Sequence, residues 1–258
     1  MRKIALLMIA ASSLAAAQSF EAASVKPSPP GQRGYSNPQP AHGFLTAKNV
    51  TLKQLILDAY QIQEFQLVGG PNWLDSARYD VTAKAATETS KQEVYKMLQE
   101  VLADRFHLTI RRESRTLPMY DLVLGMNGPK IHASEAGTCP EVKDQTREHP
   151  CGGFSIRNRR EVFGERVTMQ QLADTMSLFV NRTVLDKTGL KGVFDVKLSW
   201  TPDEGQRPGQ ESPDAPTPDS NGPSIFTALQ EQAGLKLESK KGPVEVLIID
   251  RAEKATKN

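Results

Sequence analysis

The chain has 258 residues, with 32 Lys and Arg against 30 Asp and Glu, and two cysteines. That length admits one large domain or two small ones. The near-balanced charge gives no support for nucleic-acid binding, which needs a basic face and a high pI.

The first residues, Met1-Arg2-Lys3, are cationic. An apolar run from Ile4 to Ala11 and the small residues Ala15-Ala16-Ala17 follow. A cationic start, a short apolar core and an A-x-A end predict a secretory signal peptide over residues 1–17. The apolar run is shorter than the roughly 20 residues that span a bilayer. Cleavage after Ala17 removes Arg2 and Lys3 and leaves 30 basic against 30 acidic residues. The mature chain is therefore expected to be exported, without a stable membrane anchor and without a nucleic-acid partner.

Residues 18–42 read as an N-terminal strand around Phe20–Val25 followed by a Pro-rich stretch from Pro27 to Pro40. From Gly43 a unit begins that is written again from Gly153. Each copy opens with Gly-Phe and reaches Val-Thr, at Val50-Thr51 and at Val167-Thr168. Thr followed three residues later by Gln, at Gln54 and Gln171, predicts a capping box in both copies. Leu52, Leu55, Ile56, Ala59 and Tyr60 then fall at helical spacing, as do Met169, Leu172, Ala173 and Met176. A turn-rich bend follows, Gly69–Leu74 in one copy and Asp186–Leu190 in the other. Alternating strands come next, at Tyr79, Val81 and Ala83 and at Phe194, Val196 and Leu198.

A second helix starts at a Ser90/Glu93 capping box in the first copy and at Pro223-Ser224 in the second. Leu98-Gln99-Glu100 and Leu229-Gln230-Glu231 spell the same phrase, and aligning them sets the expected register of the two helices. Leu98 and Leu229 are expected in the core, with Gln99 and Glu100 toward solvent. His107 is expected on a strand, opposite Phe106 and Leu108. Each copy ends in a strong strand, Met119–Leu124 and Val244–Ile249.

The expected fold is α+β: two tandem similar units, each with two helices packed on a small mixed sheet, the product of an internal duplication. The first unit covers 43–125 and the second 153–250, with a tail at 251–258. Residues 201–222 form an insertion too poor in apolar residues to fold. A linker at 126–152 carries Cys139 and Cys151, which an oxidising compartment pairs as a disulfide. Closing so short a loop stabilises a fold by about 3 kcal/mol on the chain-entropy account.

Five ordered motifs carry a resemblance over nearly the whole mature chain. They are Phe20–Pro27, Gly69–Leu74, Leu102–Phe106, Asp186–Leu190 and Phe226–Gln232. Together they resemble an exported family of unknown function expanded in soil Acidobacteria. Similar segments in that family are attached to membrane sensor peptidases of the antibiotic-response type. The resemblance implies no catalytic residues. In element order each half also resembles the short N-terminal domain of secretins and TonB-dependent receptors, a module that docks to envelope proteins.

The chain has no nucleophile elbow, P-loop, dinucleotide glycine pattern or H-E-x-x-H. His42, His107, His132 and His149 have no metal-ligand spacing, so neither a metal nor a cofactor is expected, and no catalytic residue is assigned. Asp186-Lys187-Thr188-Gly189 shares its letters with the phosphorylated loop of P-type pumps, but Leu190 stands where they have Thr, and a turn is the reading.

Trp73 reads either as a stacking platform for a ligand or as a lid on the core. Arg111, Arg112 and Arg115 in one copy, and Arg157, Arg159, Arg160 and Arg166 in the other, read either as a solvated strand face or as anion contacts. Trp73, Arg111, Arg112 and Arg157 are the candidate ligand or partner contacts. The expected role is a non-enzymatic, periplasmic or secreted interaction or sensing module with an envelope protein partner. The alternatives are a binding protein for a cell-wall fragment and, third, an envelope hydrolase.

Overall fold

The structure, a computed structural model, describes residues 19–135, 137, 139, 151–158, 160–201 and 222–255. The expected signal peptide and nearly all of the 201–222 insertion lie outside the described residues. The chain forms two compact units. The first comprises Met1–Ile62, Gly69–Arg111 and Ile248–Asn258, and the second Gln63–Val68 and Arg112–Leu247.

The fold is α+β. Strands β1 (Ala22–Pro27), β2 (Ser36–Ala41) and β3 (Phe44–Thr51) lead into helix α1 (Leu52–Tyr60). A short 3-10 turn at Glu64–Gln66 precedes β4 (Leu67–Gly69), β5 (Arg78–Lys84), helix α2 (Lys91–Phe106) and the long strand β6 (Thr109–Leu124). Then come β7 (His132–Ala133), β8 (Gly153–Arg157), β9 (Glu161–Val167), helix α3 (Met169–Val180), β10 (Val184–Asp186) and β11 (Phe194–Ser199). Helix α4 (Ile225–Ala228) runs on into a π-helical turn at Leu229–Ala233, and β12 (Leu235–Arg251) follows.

In the first unit the strands are ordered β1-β5-β3-β2, with every pairing antiparallel. In the second the order β7-β11-β9-β8 is likewise antiparallel. A third sheet is ordered β10-β6-β12-β4, with β10 parallel to β6. The first two sheets are thus antiparallel, and the third contains the parallel pairing of β10 with β6. Part of the stretch expected to be a Pro-rich connection is a strand: Pro38 and Pro40 lie in β2, an edge position where a missing N–H leaves no ladder bond unmade.

The expected apolar stripes are buried. Leu52, Leu55 and Ile56 of α1 and Val94, Leu98 and Leu102 of α2 are closed from solvent, and Tyr79 meets Phe106 edge-on at 4.8 Å between ring centroids. In the second unit Leu172, Met176, Leu198 and Leu229 share a core with Trp200, which meets Phe179 edge-on at 4.7 Å. Burying each such Leu stabilises by about 1.5–3 kcal/mol.

The helix starts differ from expectation in one respect. Thr168 and Gln171 form a reciprocal box, as do Ser90 and Glu93. Thr51 accepts from the Gln54 backbone N–H at 3.2 Å, but the Gln54 side chain turns forward to donate to Asp58 at 2.9 Å. A carboxylate one turn along competes for the amide, so the first box is only half made.

The helix ends correct the expected register. His107 is not on a strand: it caps α2 in the left-handed region at φ 47°, and its N–H donates to the Leu102 carbonyl. Gly234 ends the π-helical turn at φ 66°, with its N–H donating to the Leu229 carbonyl. Counted back from these caps, Leu229 stands where Leu102 does and not where Leu98 does, so the matching Leu-Gln-Glu phrases stand one helical turn apart. Glycine is required at 234, because a Cβ there would collide with the Gly128 carbonyl oxygen.

Cys139 and Cys151 form a disulfide with Cα atoms 5.5 Å apart, next to the Gly152 N–H, which donates to the Glu165 carbonyl.

Candidate functional site

Among the described residues strand β1 has a single strand neighbour, β5, and so stands at an open sheet edge. Val25 points into the core, which fixes the alternation and turns Ala23 to the same side. Helix α2 begins at the Ser90 cap, where Glu93 reaches back to the Ser90 N–H at 3.1 Å. Its Val94, Leu98 and Leu102 row faces inward, which leaves Met97 and Val101 on the flank of the stripe and Glu100 and Asp104 beyond it.

Between this flank and the start of β1 lies a groove of about 350 Å³, lined by Ser19, Phe20, Glu21 and Ala23 on one side and by Met97, Glu100, Val101, Asp104 and Arg105 on the other. Phe20, Ala23, Met97 and Val101 give it an apolar floor. Glu21, Glu100 and Asp104 set three carboxylates on the rim against the Arg105 guanidinium. Arg105 pairs with Asp104 at 3.1 Å, and the Lys84 ammonium lies 4.0 Å from Glu21. The groove also adjoins the last turns of α2, whose carbonyls carry the negative end of the helix dipole. Such a site can accept an extended backbone along β1 while side chains reach the helix.

A second depression of about 480 Å³ is polar and open, lined by Ala103, His107, Leu108, Thr109, Arg251 and Glu253. Arg251 donates to Glu253 at 3.0 Å, and that hydrogen bond together with the Arg251 charge holds the Glu253 carboxyl below its ordinary range. The Glu253 backbone N–H donates to the Phe106 carbonyl at 2.7 Å, which occupies one of the free carbonyls at the end of α2.

The candidate ligand or partner contacts lie elsewhere, and neither depression is lined by Trp73, Arg111, Arg112 or Arg157. Trp73 is half-buried in a turn, with its carbonyl accepting from the Ser76 and Ala77 N–H groups and the Lys254 ammonium 5.9 Å from its ring centroid. Arg111 pairs with Asp250 at 3.1 Å, and Arg112 pairs with Glu245. Arg157 lies 5.2 Å above the Phe163 ring, which Lys197 approaches at 5.4 Å. Each of these cations has a partner on the sheet surface. Among the described residues no group of three or more His, Cys, Asp or Glu is gathered as for a metal ion, and no helix is long and apolar enough to cross a membrane.

Sequence reasoning passed over the groove because its two walls are about 80 positions apart in the chain. The available signal was small: Glu100 and Asp104, four apart, border the apolar stripe of α2 beside a strand-like Phe20–Val25.

No curated protein and no solved structure matches the chain. A family described as "Protein of unknown function (DUF3738)" matches residues 53–252, which include α2 and all of the second unit. That match covers well over half of the sequence, and the chain belongs to this family.

Proposed function

We propose that the protein is an exported, non-enzymatic interaction module of the cell envelope, and that it docks an extended segment of another protein in the groove between β1 and α2. The observation that carries this reading is the open edge of β1 beside an apolar-floored groove on α2. Main-chain hydrogen bonds to a free strand edge supply affinity, and pockets for alternate side chains supply specificity.

The disulfide fits an oxidising compartment, and with the cationic, apolar N-terminal sequence it supports export. The half-chains share the order strand, helix, strand, strand, helix, strand, from β3 to β6 and from β9 to β12, and their four-stranded sheets share one strand order. This agreement supports an origin by internal duplication. It also supports likeness to the docking domain of secretins and TonB-dependent receptors, at the level of element order alone. Placement within the branch expanded in soil Acidobacteria rests on the five sequence motifs.

The test is crosslinking inside the envelope. A photoreactive amino acid at Glu100 is expected to join one envelope protein, the same amino acid at the exposed Lys91 of the same helix is not, and Val101→Asp is expected to abolish the product. Equal crosslinking from both positions refutes docking in this groove.

A further inference from the structure

Resting on the reading of the groove as a docking site, we infer that its occupant is a cationic extended segment, with lysine or arginine alternating with apolar residues, added to β1 as a fifth strand. Alternation follows from strand geometry: residues two apart share a face, so one set of side chains lies on the apolar floor and the other is directed outward. Charge acts on the set that faces α2: Glu21 shares the side of Ala23 and Val25, and Glu100 and Asp104 stand on α2, so lysine or arginine stems lie along the apolar floor while their charged ends reach the carboxylates. Three carboxylates, Glu21, Glu100 and Asp104, stand against Arg105 on the groove walls, and the negative end of α2 adds to them. Lys84 offsets Glu21 only at 4.0 Å, and both are well exposed.

The second unit shows a cation held at the matching helix end. With helix ends aligned through His107 and Gly234, Asp104 corresponds to Glu231. There the chain's own segment ahead of β7 lies against the helix end: the Lys130 N–H donates to the Ala233 carbonyl at 2.9 Å, and its ammonium donates to the Glu231 carbonyl at 2.8 Å. A lysine thus closes that unit's helix end, where the first unit has the Glu253 N–H on the Phe106 carbonyl.

The probe is an acetylated alternating Lys-Val dodecapeptide, titrated into the isotope-labelled exported protein with its disulfide intact, beside Thr-Val and Glu-Val counterparts. Amide shifts are expected at Ala22–Val25 and Met97–Arg105, with the Lys-Val peptide bound about tenfold more tightly than Thr-Val and the margin reduced by added salt. Glu100→Lys combined with Asp104→Lys, both exposed positions, is expected to erase that margin. Glu100→Gln, which keeps shape and removes charge, is expected to reduce it in part. Equal binding of Lys-Val and Thr-Val at these residues, or tighter binding of Glu-Val, overturns the cationic occupant and leaves the docking reading standing. No shift with any of the three up to about 1 mM overturns both.

Discussion

The backbone N–H of Asn49 donates to Oδ1 of Asp80 at 2.8 Å, across a bulge where β3 slips its register against β5. Asn49 stands at φ 54°, a left-handed conformation that asparagine tolerates better than most residues. The extra residue swings its N–H off the ladder, and the Asp80 carboxylate receives it, together with the Ser28 hydroxyl at 2.7 Å. The second unit repeats the arrangement with other residues. The Arg166 N–H, at φ 53°, and the Ser134 hydroxyl both donate to Oδ1 of Asp195, at 3.0 and 2.6 Å. The hydroxyl bond first, then the N–H bond, holds the Asp195 carboxyl below its ordinary range.

Asp80→Ala is therefore expected to destabilise by about 1–3 kcal/mol, the cost of leaving a buried N–H without an acceptor. Asn49 is only 8% exposed, so water cannot replace the lost partner. Asp195→Ala should act in the same direction but at the lower end of the range, because the Arg166 node is more exposed. Urea melts of both variants check this, and an Asp80→Ala midpoint equal to that of the unchanged protein contradicts the role.

Much of the fold could be read from the chain because it rests on local chemistry. Thr168 with Gln171 and Ser90 with Glu93 mark helix starts, and the stripes of α1, α2 and α3 announce their buried faces. The two bulges were not legible. Asn49-Val50-Thr51 and Arg166-Val167-Thr168 share only Val-Thr, and the matching carboxylates sit 31 and 29 positions away on other strands. The Leu-Gln-Glu phrase misled because letters on one helix recur easily, whereas the left-handed caps that fix the register are filled by His107 in one unit and Gly234 in the other. The groove was hidden for a related reason: its walls meet only after the sheet forms.

The corrected register changes what truncation should do. Leu98 and Leu229 are both closed from solvent, and each change to Ala is expected to cost about 2–5 kcal/mol. Glu100 is exposed, and Glu100→Ala should stay within about 0.5 kcal/mol. Gln99 departs from its expected solvent position: its side-chain amide donates to the Ala59 carbonyl at 2.8 Å and joins α2 to the end of α1. Gln99→Ala should cost about 0.5–1.5 kcal/mol, the net value of one such bond. Denaturant melts that rank Gln99→Ala with Glu100→Ala would remove that tie from the account.

Export and disulfide formation can be read in one measurement. Mass spectrometry of the secreted or periplasmic protein is expected to give a chain beginning at Gln18, two hydrogens lighter than after reduction. Cys139 and Cys151 should resist alkylation until a reductant is added. A chain retaining Met1-Arg2-Lys3, or thiols that alkylate at once, counts against this.

Asp58 offers a test that separates burial from pairing. Burial raises its carboxyl above the ordinary value of 3.8, while the Gln54 amide and then the Lys91 charge pull the other way without cancelling the rise. The folded chain consequently holds this proton more tightly than the unfolded chain does. Unfolding releases it, so the contribution to stability falls as pH rises from 3.8 through the raised folded value and is level above it. Asp58→Asn keeps an oxygen for the Gln54 amide and cannot ionise. Its stability relative to the unchanged protein should therefore grow between about pH 3 and pH 7 and be flat beyond. Melts at several pH values check this: a constant offset would mean that Asp58 ionises as freely in the folded chain as in the unfolded one. A margin that shrinks with pH would mean that Gln54 and Lys91 outweigh burial, and that the carboxylate at the C-terminal half of α1 is a paired charge instead of a strained one.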